Sequence, residues 1–538
     1  MAAGTRTIPG VDTAAAPPWS ALNVTHLVER TGRDPARTAV VCAGQSRTYG
    51  QLRDRYRRVA NGLVGRGIDR MDRVGLATTN RLEYFEVEFG ISGAAAIMVA
   101  LSFRLADAER INLLARSGAR AVFAEHTYVP ALAAARASGQ LPELELIVSF
   151  GTVDGADVEY EQLCAEASGE RPAVSPPAFD DPHEIIYTSG TTSAPKGVIW
   201  SHGTVMWNSI QQVMDFNLRS DHTTYVQLDL NYIGGRHDFT FAVLHQGGTV
   251  HLRRSGGFNA AEALHYVCEH RISHVLWVPT MLYDVLRVPE LKQLNTSTLE
   301  MIMCGGAPLS KESVLDAQRA FPHTRFVQVF GLTEGGGTTT VVPPDSLSTK
   351  IGSAGKASMH NEIRIADDVG DALPSGQIGE ILIRGPAVTV GYWGDPQATA
   401  ETVVDGWLHT GDLGYLDDED FLYVAGRKKD MIITGGMNVY PSDVEGVVRQ
   451  HPAVADVSVI GVPDEKWGER VCAVIQPLTE VTVDTEAIMA FCKERLASFK
   501  KPTVVYTVDE LPRTLSGKVK KYLLRDRFAN STASGNHP

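Results

Sequence analysis

The stretch YTSGTTSAPKGV, from Tyr187 to Val198, places two serines, three threonines and two glycines around a single lysine, Lys196. Backbone N–H groups of a glycine-rich turn, together with hydroxyl groups, can surround the oxygen atoms of a phosphate, and lysine adds a point charge. The order differs from the P-loop pattern G-x-x-x-x-G-K-[ST]. A polar surface loop is the plain alternative. The preceding HEIIYT has the composition of a strand, so we predict a strand followed by a phosphate-holding loop.

Bulk composition limits the class of protein. At about 100–200 residues per domain, 538 residues form two or more domains, and 43% hydrophobic and 21% charged residues are ordinary for a globular chain. The net charge of −13 argues against nucleic-acid binding. Six scattered cysteines predict reduced thiols. No secretory signal pattern opens the chain, and the longest apolar run, Phe89–Phe103, is short for a membrane span. We therefore expect a cytoplasmic protein without an integral membrane segment.

Alternation of strand and helix patterns predicts the fold class. Leu52, Tyr56, Val59 and Leu63 follow helical spacing between two strand-like stretches. Strands that alternate with helices favour α/β layers with largely parallel sheets. From residue 351 to 423 short strands and turns predict a small β subdomain, and the chain after Arg427 reads as a compact α+β domain. We predict an α/β protein with a large N-terminal domain and a small C-terminal domain.

Three further motifs accompany the loop in a definite order. VFGLTEGGG (329–337) reads as a strand that ends in a turn presenting Thr333 and Glu334. The segment from His409 to Glu445 contains Asp412 and Arg427, and LPRTLSGKVKKYLLR carries Lys518. Each motif alone is weakly specific. Together, from about residue 36 to 527, they resemble the adenylate-forming superfamily: acyl-CoA synthetases, adenylation domains of peptide synthetases and beetle luciferases.

The resemblance implies an architecture and an activity. It implies an N-terminal extension (1–35), a large adenylate-forming domain of two α/β subdomains and a small β subdomain (36–428), a small mobile C-terminal domain (429–530) and a disordered tail (531–538), with Lys429 as the hinge. The activity it implies is that of an acyl-CoA synthetase, which forms an acyl-adenylate from a carboxylic acid and ATP and then transfers the acyl group to coenzyme A. ATP, Mg²⁺ and coenzyme A are the implied cofactors, and a homodimer is left open.

The resemblance also implies roles for single residues. Glu334 would ligate Mg²⁺, Thr333 would contact the α-phosphate, and Lys518 would bridge the substrate carboxylate and the α-phosphate. Asp412 would bind ribose, and Arg427 would bind ribose or phosphate. The remaining nucleotide-binding positions share a loop or strand end beside the phosphates or the adenine: Thr188, Ser189, Gly190, Thr191, Thr192, Lys196, Gly305, Gly306, Ala307, Phe330 and Gly331. The acyl pocket would be lined by Tyr232, Gly235, His237 and Gly335. Gly435 and Gly436 would leave room for the pantetheine arm of coenzyme A.

Two departures from the family pattern keep alternatives open. Ser193 replaces a glycine of the usual T-T-G-x-P-K-G, and DLNYIGG (229–235) replaces the usual P-L-F-H-x-G-G. One alternative is an enzyme that mainly forms thioesters from a supplied adenylate. Others are a free-standing amino-acid or aryl-acid adenylating enzyme and a degenerate nucleotide-binding or scaffold protein. For the substrate we expect a medium or long acyl chain, or a bulky cyclic or aromatic acid.

Overall fold

A computed structural model describes residues 22–30, 34–188, 195–307, 309, 311–478, 483–513 and 519–529. Within these ranges the helices are α1 (His26–Glu29), α2 (Tyr49–Val64), α3 (Glu83–Gly93), α4 (Asp107–Ser117), α5 (Val129–Ala137), α6 (Tyr160–Glu166), α7 (His202–Asp215), α8 (Ile233–Arg236), α9 (Thr240–Gln246), α10 (Ala260–Glu269), α11 (Pro279–Leu286), α12 (Lys311–Ala320), α13 (Pro396–Thr402), α14 (Pro441–Val448), α15 (Thr485–Lys493) and α16 (Lys521–Ala529).

The strands of the described ranges are β1 (Thr38–Cys42), β2 (Gln45–Thr48), β3 (Arg73–Ala77), β4 (Ile97–Leu101), β5 (Ala119–Glu125), β6 (Leu146–Phe150), β7 (Val158–Glu159), β8 (Pro182–Thr188), β9 (Lys196–Ser201), β10 (Thr223–Val226), β11 (Thr249–Leu252), β12 (His274–Leu276), β13 (Met301–Cys304), β14 (Arg325–Leu332), β15 (Gly337–Val341), β16 (Lys356–Ala357), β17 (Glu362–Ala366), β18 (Gly379–Arg384), β19 (Gly391–Tyr392), β20 (Val403–Val404), β21 (Trp407–Leu416), β22 (Leu422–Arg427), β23 (Ile432–Thr434), β24 (Met437–Val439), β25 (Val454–Asp464), β26 (Gly468–Pro477) and β27 (Val504–Thr507).

The chain divides into two compact units. The first contains the chain up to Glu362 together with Arg384–Leu408, and the second contains Ile363–Ile383 together with the chain from His409 onward. The second unit thus includes strands β17, β18, β21 and β22 as well as the elements that follow Arg427. The domain boundary that we expect after residue 428 stays a prediction.

Two large sheets with helices between their strands form the first unit. One has the order β16-β15-β14-β13-β12-β10-β11-β1-β2, and its pairs from β14 through β13, β12, β10 and β11 to β1 are parallel. The other has the order β19-β9-β8-β4-β3-β5-β6-β7, in which β8, β4, β3, β5, β6 and β7 are parallel neighbours. Parallel strands bring their carboxyl ends to one edge of a sheet, where ligands bind in open α/β folds.

Helix α2 illustrates how local sequence determines these elements. Thr48 caps it: the Thr48 hydroxyl accepts a hydrogen bond from the Gln51 N–H, and the Gln51 side chain accepts one from the Thr48 N–H. Leu52, Tyr56 and Val59 are buried on one face, as their spacing predicts. Capping therefore sets where the helix begins, and burial of this face against the core stabilises it.

The second unit contains two smaller sheets. One has the order β17-β18-β21-β20, and β22 also pairs with β21, in antiparallel fashion. The other sheet has the order β24-β23-β26-β25, with β27 parallel to β26. Helices α14, α15 and α16 pack with it. The predicted fold class, a mixed α/β protein with a large N-terminal and a small C-terminal domain, is confirmed.

Candidate active site

The two strands of a β-hairpin flank the hydroxyl-rich segment. Strands β8 and β9 are antiparallel, and Thr188 pairs with Lys196 at the mouth of the hairpin. The intervening residues 189–194 lie outside the described residues, so the phosphate-binding role of Ser189, Gly190, Thr191 and Thr192 stays a prediction. The pairing of β8 with β9 places Lys196 at the first position of β9, opposite Thr188 at the end of the predicted strand HEIIYT.

Tyr392 joins Lys196 to Glu334. The Lys196 ammonium lies 4.7 Å from the centroid of the Tyr392 ring, and the Tyr392 hydroxyl donates a hydrogen bond of 3.1 Å to Oε1 of Glu334. Strand β19 carries Tyr392 along the edge of β9, where Tyr392 pairs with Val198. A lysine above an aromatic face gains a cation–π attraction. The structure therefore brings together two predicted residues through a third that sequence analysis missed, although the aromatic pair GYW at 391–393 is a visible signal.

The turn that carries Thr333 and Glu334 connects β14 to β15. The N–H of Gly336 donates to the Thr333 carbonyl oxygen within the turn. That same oxygen accepts a hydrogen bond of 2.8 Å from the indole Nε1 of Trp200, and the Glu334 carbonyl oxygen accepts one of 2.9 Å from the Thr389 N–H. Two other segments, one through the Trp200 indole and one through the Thr389 N–H, thus hold the backbone of the turn. The sequence shows no role for Trp200 because Trp200 lies far from the turn along the chain.

The residues predicted to flank the nucleotide base follow adjacent parallel strands. Gly305 comes directly after β13, and a Cβ there would lie 2.7 Å from Cγ2 of Val329, so the absence of a side chain permits close packing. Phe330 is half-buried near the end of β14, while Gly306 and Ala307 are exposed. These positions share one sheet edge. Their contact with adenine stays a prediction.

In the second unit, Asp412 and Arg427 form an ion pair. The two residues face each other in the β21–β22 ladder, and Nε of Arg427 lies 2.6 Å from Oδ1 of Asp412. The Asp412 side chain is buried, and its N–H donates to the Thr410 hydroxyl. Adjacent strands therefore place a carboxylate and a guanidinium together, which is a suitable pair for a sugar diol and a phosphate.

Three of the four predicted acyl-pocket residues lie in or beside helix α8, and the fourth, Gly335, lies in the turn between β14 and β15. Tyr232 caps α8 and is half-buried, while a side chain at Gly235 would collide with the Asp229 carbonyl. A Cβ at Gly335 would lie 2.8 Å from Cδ2 of Leu332. His237 is buried, with Nε2 2.6 Å from Oε1 of Glu184 and its ring centroid 4.4 Å from that of Trp200. Contact of these four residues with an acyl group stays a prediction.

A cluster of buried charges connects α3, β8 and α8. The guanidinium of Arg236 donates to Glu184, lies 3.3 Å from Oε1 of Glu88, and donates to the Tyr84 hydroxyl at 2.8 Å. Burial raises the pKa of Glu88 to about 7, and the nearby Arg236 opposes that shift. Burial, together with Arg236, lowers the pKa of His183 to about 3, so this imidazole is neutral near pH 7.

The predicted coenzyme A loop is the β23–β24 hairpin of the second unit. Gly435 and Gly436 both have positive φ, 57° and 78°, which glycine adopts without strain. The Gly435 N–H donates to the Trp467 carbonyl, and a Cβ at Gly435 would lie 2.7 Å from Cε3 of the Trp467 ring. Lys429 lies in a short 3₁₀ helix, Lys428–Asp430. Lys518 lies outside the described residues, and its role and the hinge at Lys429 stay predictions.

The side chains within the described ranges limit how the chain could hold a metal ion. There, no three His, Cys, Asp or Glu side chains are grouped so that they could hold a metal ion by themselves. A single carboxylate such as Glu334 suits Mg²⁺ that is held mainly by substrate phosphates.

All six cysteines are free, five of them buried. Across the same ranges, no helix combines the length and the apolar character needed to cross a membrane.

Comparisons with known proteins agree with this arrangement. The family described as AMP-binding enzyme matches residues 27–393, and the AMP-binding enzyme C-terminal domain matches residues 443–518. A feruloyl-CoA synthase from an Amycolatopsis species is 36% identical over 501 residues, which cover 93% of this chain and 98% of that protein. An indoleacetate–CoA ligase from Aromatoleum aromaticum is 35% identical, with coverage of 95% and 99%.

A solved structure shares the fold over nearly the whole chain. ATP-bound MatB from Rhodopseudomonas palustris superposes with a TM-score of 0.87 at 29% identity, and the match covers 95% of this chain and 99% of that one. The family match spans more than half of the chain and includes the hairpin of Lys196, the turn of Glu334 and the strand of Tyr392. The chain belongs to the adenylate-forming superfamily of AMP-binding enzymes.

Proposed function

We propose that this chain is an acyl-CoA synthetase, an acid–thiol ligase that works in two steps. In the first, a carboxylate oxygen attacks the α-phosphorus of ATP, an O–P bond forms, and pyrophosphate leaves. In the second, the thiol of coenzyme A attacks the acyl carbonyl carbon, AMP leaves, and the thiol proton passes to solvent. The observation that carries the proposal is the contact of Lys196 and Glu334 with one tyrosine beside the hydroxyl-rich hairpin.

The first step separates much negative charge, so positioned cations and hydrogen-bond donors supply most of the catalysis. Lys196 and the loop hydroxyls hold the β- and γ-phosphates, and Thr333 contacts the α-phosphate. Glu334 would hold Mg²⁺, which would neutralise the charge that develops on pyrophosphate. Tyr392 orients the Glu334 carboxylate through its hydroxyl. Asp412 accepts hydrogen bonds from the ribose, and Lys518 neutralises the substrate carboxylate.

For the substrate we propose an aryl acid. Two of the relatives act, by their names, on feruloyl and indoleacetyl groups, both of which carry an aromatic ring. The runner-up is an enzyme of the same fold that forms the thioester mainly from a supplied adenylate, which the serine at position 193 motivates. A localisation in the cytoplasm, a homodimer and the use of Mg²⁺ remain parts of the proposal.

The test combines one substitution with two assays. In Glu334→Gln the carboxylate loses its charge, so we expect ATP–pyrophosphate exchange to fall at least about a hundredfold and the Mg²⁺ concentration for half-maximal exchange to rise. Glu312→Gln removes a charge from an exposed position of α12 and serves as the matched control. Equal exchange rates in the two variants would remove Glu334 from the mechanism. Failure of the parent to form CoA thioesters across a broad panel of acids would refute the ligase assignment.

A further inference from the structure

Three consecutive glycines, 335–337, separate the turn of Thr333 and Glu334 from the rest of strand β15. Gly336 and Gly337 have φ of 81° and 89°, a region that glycine enters without strain. Thr338 is the first residue after Glu334 that has a side chain. Because glycines restrict the backbone so little, the position of Glu334 depends on what holds Thr338 as well as on the contacts of the turn itself.

Thr338 is 2% exposed, and two side chains hold it. Its hydroxyl donates a hydrogen bond of 3.2 Å to Oδ1 of Asp238, and its carbonyl oxygen accepts one from Nε2 of Gln211. Thr338 pairs with Gly331, just before the turn, in the β14–β15 ladder. A Cβ at Gly331 would lie 1.9 Å from the Gly337 carbonyl oxygen, so the two strands are in close contact there. A shift of Thr338 would therefore move both ends of the turn.

The backbone beside Asp238 is strained. Phe239 has φ of 62° and ψ of −41°, and the Thr240 N–H donates to the Asp238 carbonyl oxygen at 2.9 Å. These values describe a γ-turn with positive φ, which is rare and costly for a bulky residue. Such a conformation persists only where the surrounding structure imposes it, and strained backbone is concentrated at functional sites.

The side chain of Gln212 holds this γ-turn in place. Its Oε1 accepts a hydrogen bond of 2.8 Å from the Phe239 N–H, and its Nε2 donates one of 2.9 Å to the His237 carbonyl oxygen. Gln212 is completely buried and follows Gln211 on helix α7. One helix therefore fixes the peptide groups on both sides of Asp238, through Gln212, and the strand to which Asp238 bonds, through Gln211.

We propose that Asp238 is a positioning residue of the adenylation step, which acts through Thr338 and keeps the Glu334 carboxylate where it can ligate Mg²⁺. The inference rests on the proposed function, because Glu334 has this role only if the chain activates ATP. The contact requires an acceptor oxygen on residue 238 and no charge. Asp238→Asn should therefore preserve it, whereas Asp238→Ala and Thr338→Val each remove it.

The first test is a double-mutant cycle on ATP–pyrophosphate exchange. We expect Asp238→Ala and Thr338→Val each to lower kcat about tenfold, because a small misplacement of reacting groups is costly. If Asp238 acts through Thr338, the double variant also loses about tenfold, whereas two independent effects would multiply to about a hundredfold. Asp238→Asn should stay within about twofold of the parent, because its amide oxygen accepts the same hydrogen bond.

The matched control is Thr324→Val. It removes a threonine hydroxyl that donates to the Leu299 carbonyl oxygen at 2.7 Å, just before β14 and thus at the other end of that strand from the turn. This variant should exchange pyrophosphate at the rate of the parent.

The second test measures binding without turnover. Titration calorimetry with ATP, in Mg²⁺ and in EDTA, gives the gain in ATP affinity that Mg²⁺ provides. We expect Asp238→Ala and Thr338→Val to reduce this gain about tenfold, as does the loss of a residue that orients a metal ligand, and Asp238→Asn and Thr324→Val to retain it.

Three results would each overturn the positioning role: losses that multiply in the double variant, an Asp238→Asn variant as impaired as Asp238→Ala, or an unchanged Mg²⁺ gain in Thr338→Val. If Asp238→Ala does not fold, the Mg²⁺ gains of Thr338→Val and Asp238→Asn still decide. A parent that forms no thioester from a broad panel of acids refutes the proposed function instead, while calorimetry still decides the role of Asp238.

Discussion

At the scale of single residues, the indole of Trp200 is an unexpected support of the proposed site. It is fully buried, packs against the His237 ring, and donates from Nε1 to the Thr333 carbonyl. Because the turn holds both Thr333 and Glu334, a shift of its backbone moves two functional side chains at once. A misplacement of about 1 Å can cost a hundredfold in rate. We therefore predict that Trp200 is a positioning residue, which acts on the substrate only through this turn.

We expect Trp200→Phe to lower kcat for ATP–pyrophosphate exchange about fivefold, because a net hydrogen bond contributes about 1 kcal/mol and the turn loses an anchor. The half-maximal Mg²⁺ concentration should rise, since Glu334 loses its fixed backbone. Trp277→Phe is the control: Trp277 is equally buried, but among the described residues its Nε1 has no partner, so no hydrogen bond is removed. If both variants lose stability equally and neither changes the Mg²⁺ dependence, Trp200 serves packing alone.

At the scale of elements, buried charged side chains connect α3, β8 and α8. Glu88, Glu184 and Arg236 are completely buried, so two carboxylates share one guanidinium. Breaking such a cluster from one side leaves an uncompensated charge and is strongly destabilising, by about 3–5 kcal/mol. The raised pKa of Glu88 offers a way to relieve the excess negative charge, because a protonated Glu88 leaves one carboxylate facing Arg236.

This arrangement predicts a pH dependence of stability. The pKa of Glu88 is about 7 in the folded chain against an ordinary 4.5, so the folded state holds the proton more tightly. The resulting stabilisation is complete below pH 4.5 and is lost as the pH rises through 7. Glu88→Gln mimics the protonated form. The gain in unfolding free energy of this variant over the parent should therefore be larger at pH 8 than at pH 5, by up to a few kcal/mol.

Urea unfolding of parent and Glu88→Gln at the two pH values measures the difference directly. His183, whose pKa is lowered, contributes a trend of opposite sign, since its neutral form is favoured in the fold and stability is lost as the pH falls. Nε2 of His183 lies 3.3 Å from Oε1 of Glu88. While the His183 imidazole stays neutral in both folded proteins, comparing parent with variant at each pH cancels its contribution. A free-energy difference independent of pH would mean that Glu88 is ionised throughout.

Local patterns and long-range contacts were predictable to different degrees. The strand before the loop, helix α2 and the turn at Thr333 follow from short-range periodicity and turn residues, and the structure has them where predicted. The pairing of Glu184 with Arg236 joins residues 52 apart, and nothing in HEIIYT marks its glutamate as buried. Tyr392 and Trp200 were missed for the same reason: each acts on a segment distant in the chain, and only the order of strands brings the partners together.

At the scale of the whole molecule, the predicted site residues belong to two units. Thr333 and Glu334 lie in the first and Asp412 and Arg427 in the second. The predicted small domain begins only at residue 429 and contains Lys518, and the resemblance to adenylate-forming enzymes implies that this domain changes orientation between the two chemical steps. Conformational steps of this kind often limit turnover. A residue that serves in one orientation only should therefore affect one half-reaction only.

The test of this idea substitutes Lys518. If it neutralises the substrate carboxylate only while the adenylate forms, Lys518→Ala should reduce ATP–pyrophosphate exchange by about a thousandfold or more, yet convert a supplied acyl-adenylate and coenzyme A into thioester at nearly the parent rate. Lys520→Ala removes the same charge two residues away and should leave both rates close to those of the parent.

The same two assays on the parent also decide between the proposed function and its runner-up. Exchange together with thioester formation supports the full ligase, whereas thioester formation from supplied adenylate alone supports an enzyme whose first step is lost. Ser193→Gly, which restores the glycine usual at that position, should then recover exchange, because glycine has no side chain and adopts positive φ without strain. Equal losses of both half-reactions in Lys518→Ala would show instead that Lys518 serves binding common to the two steps.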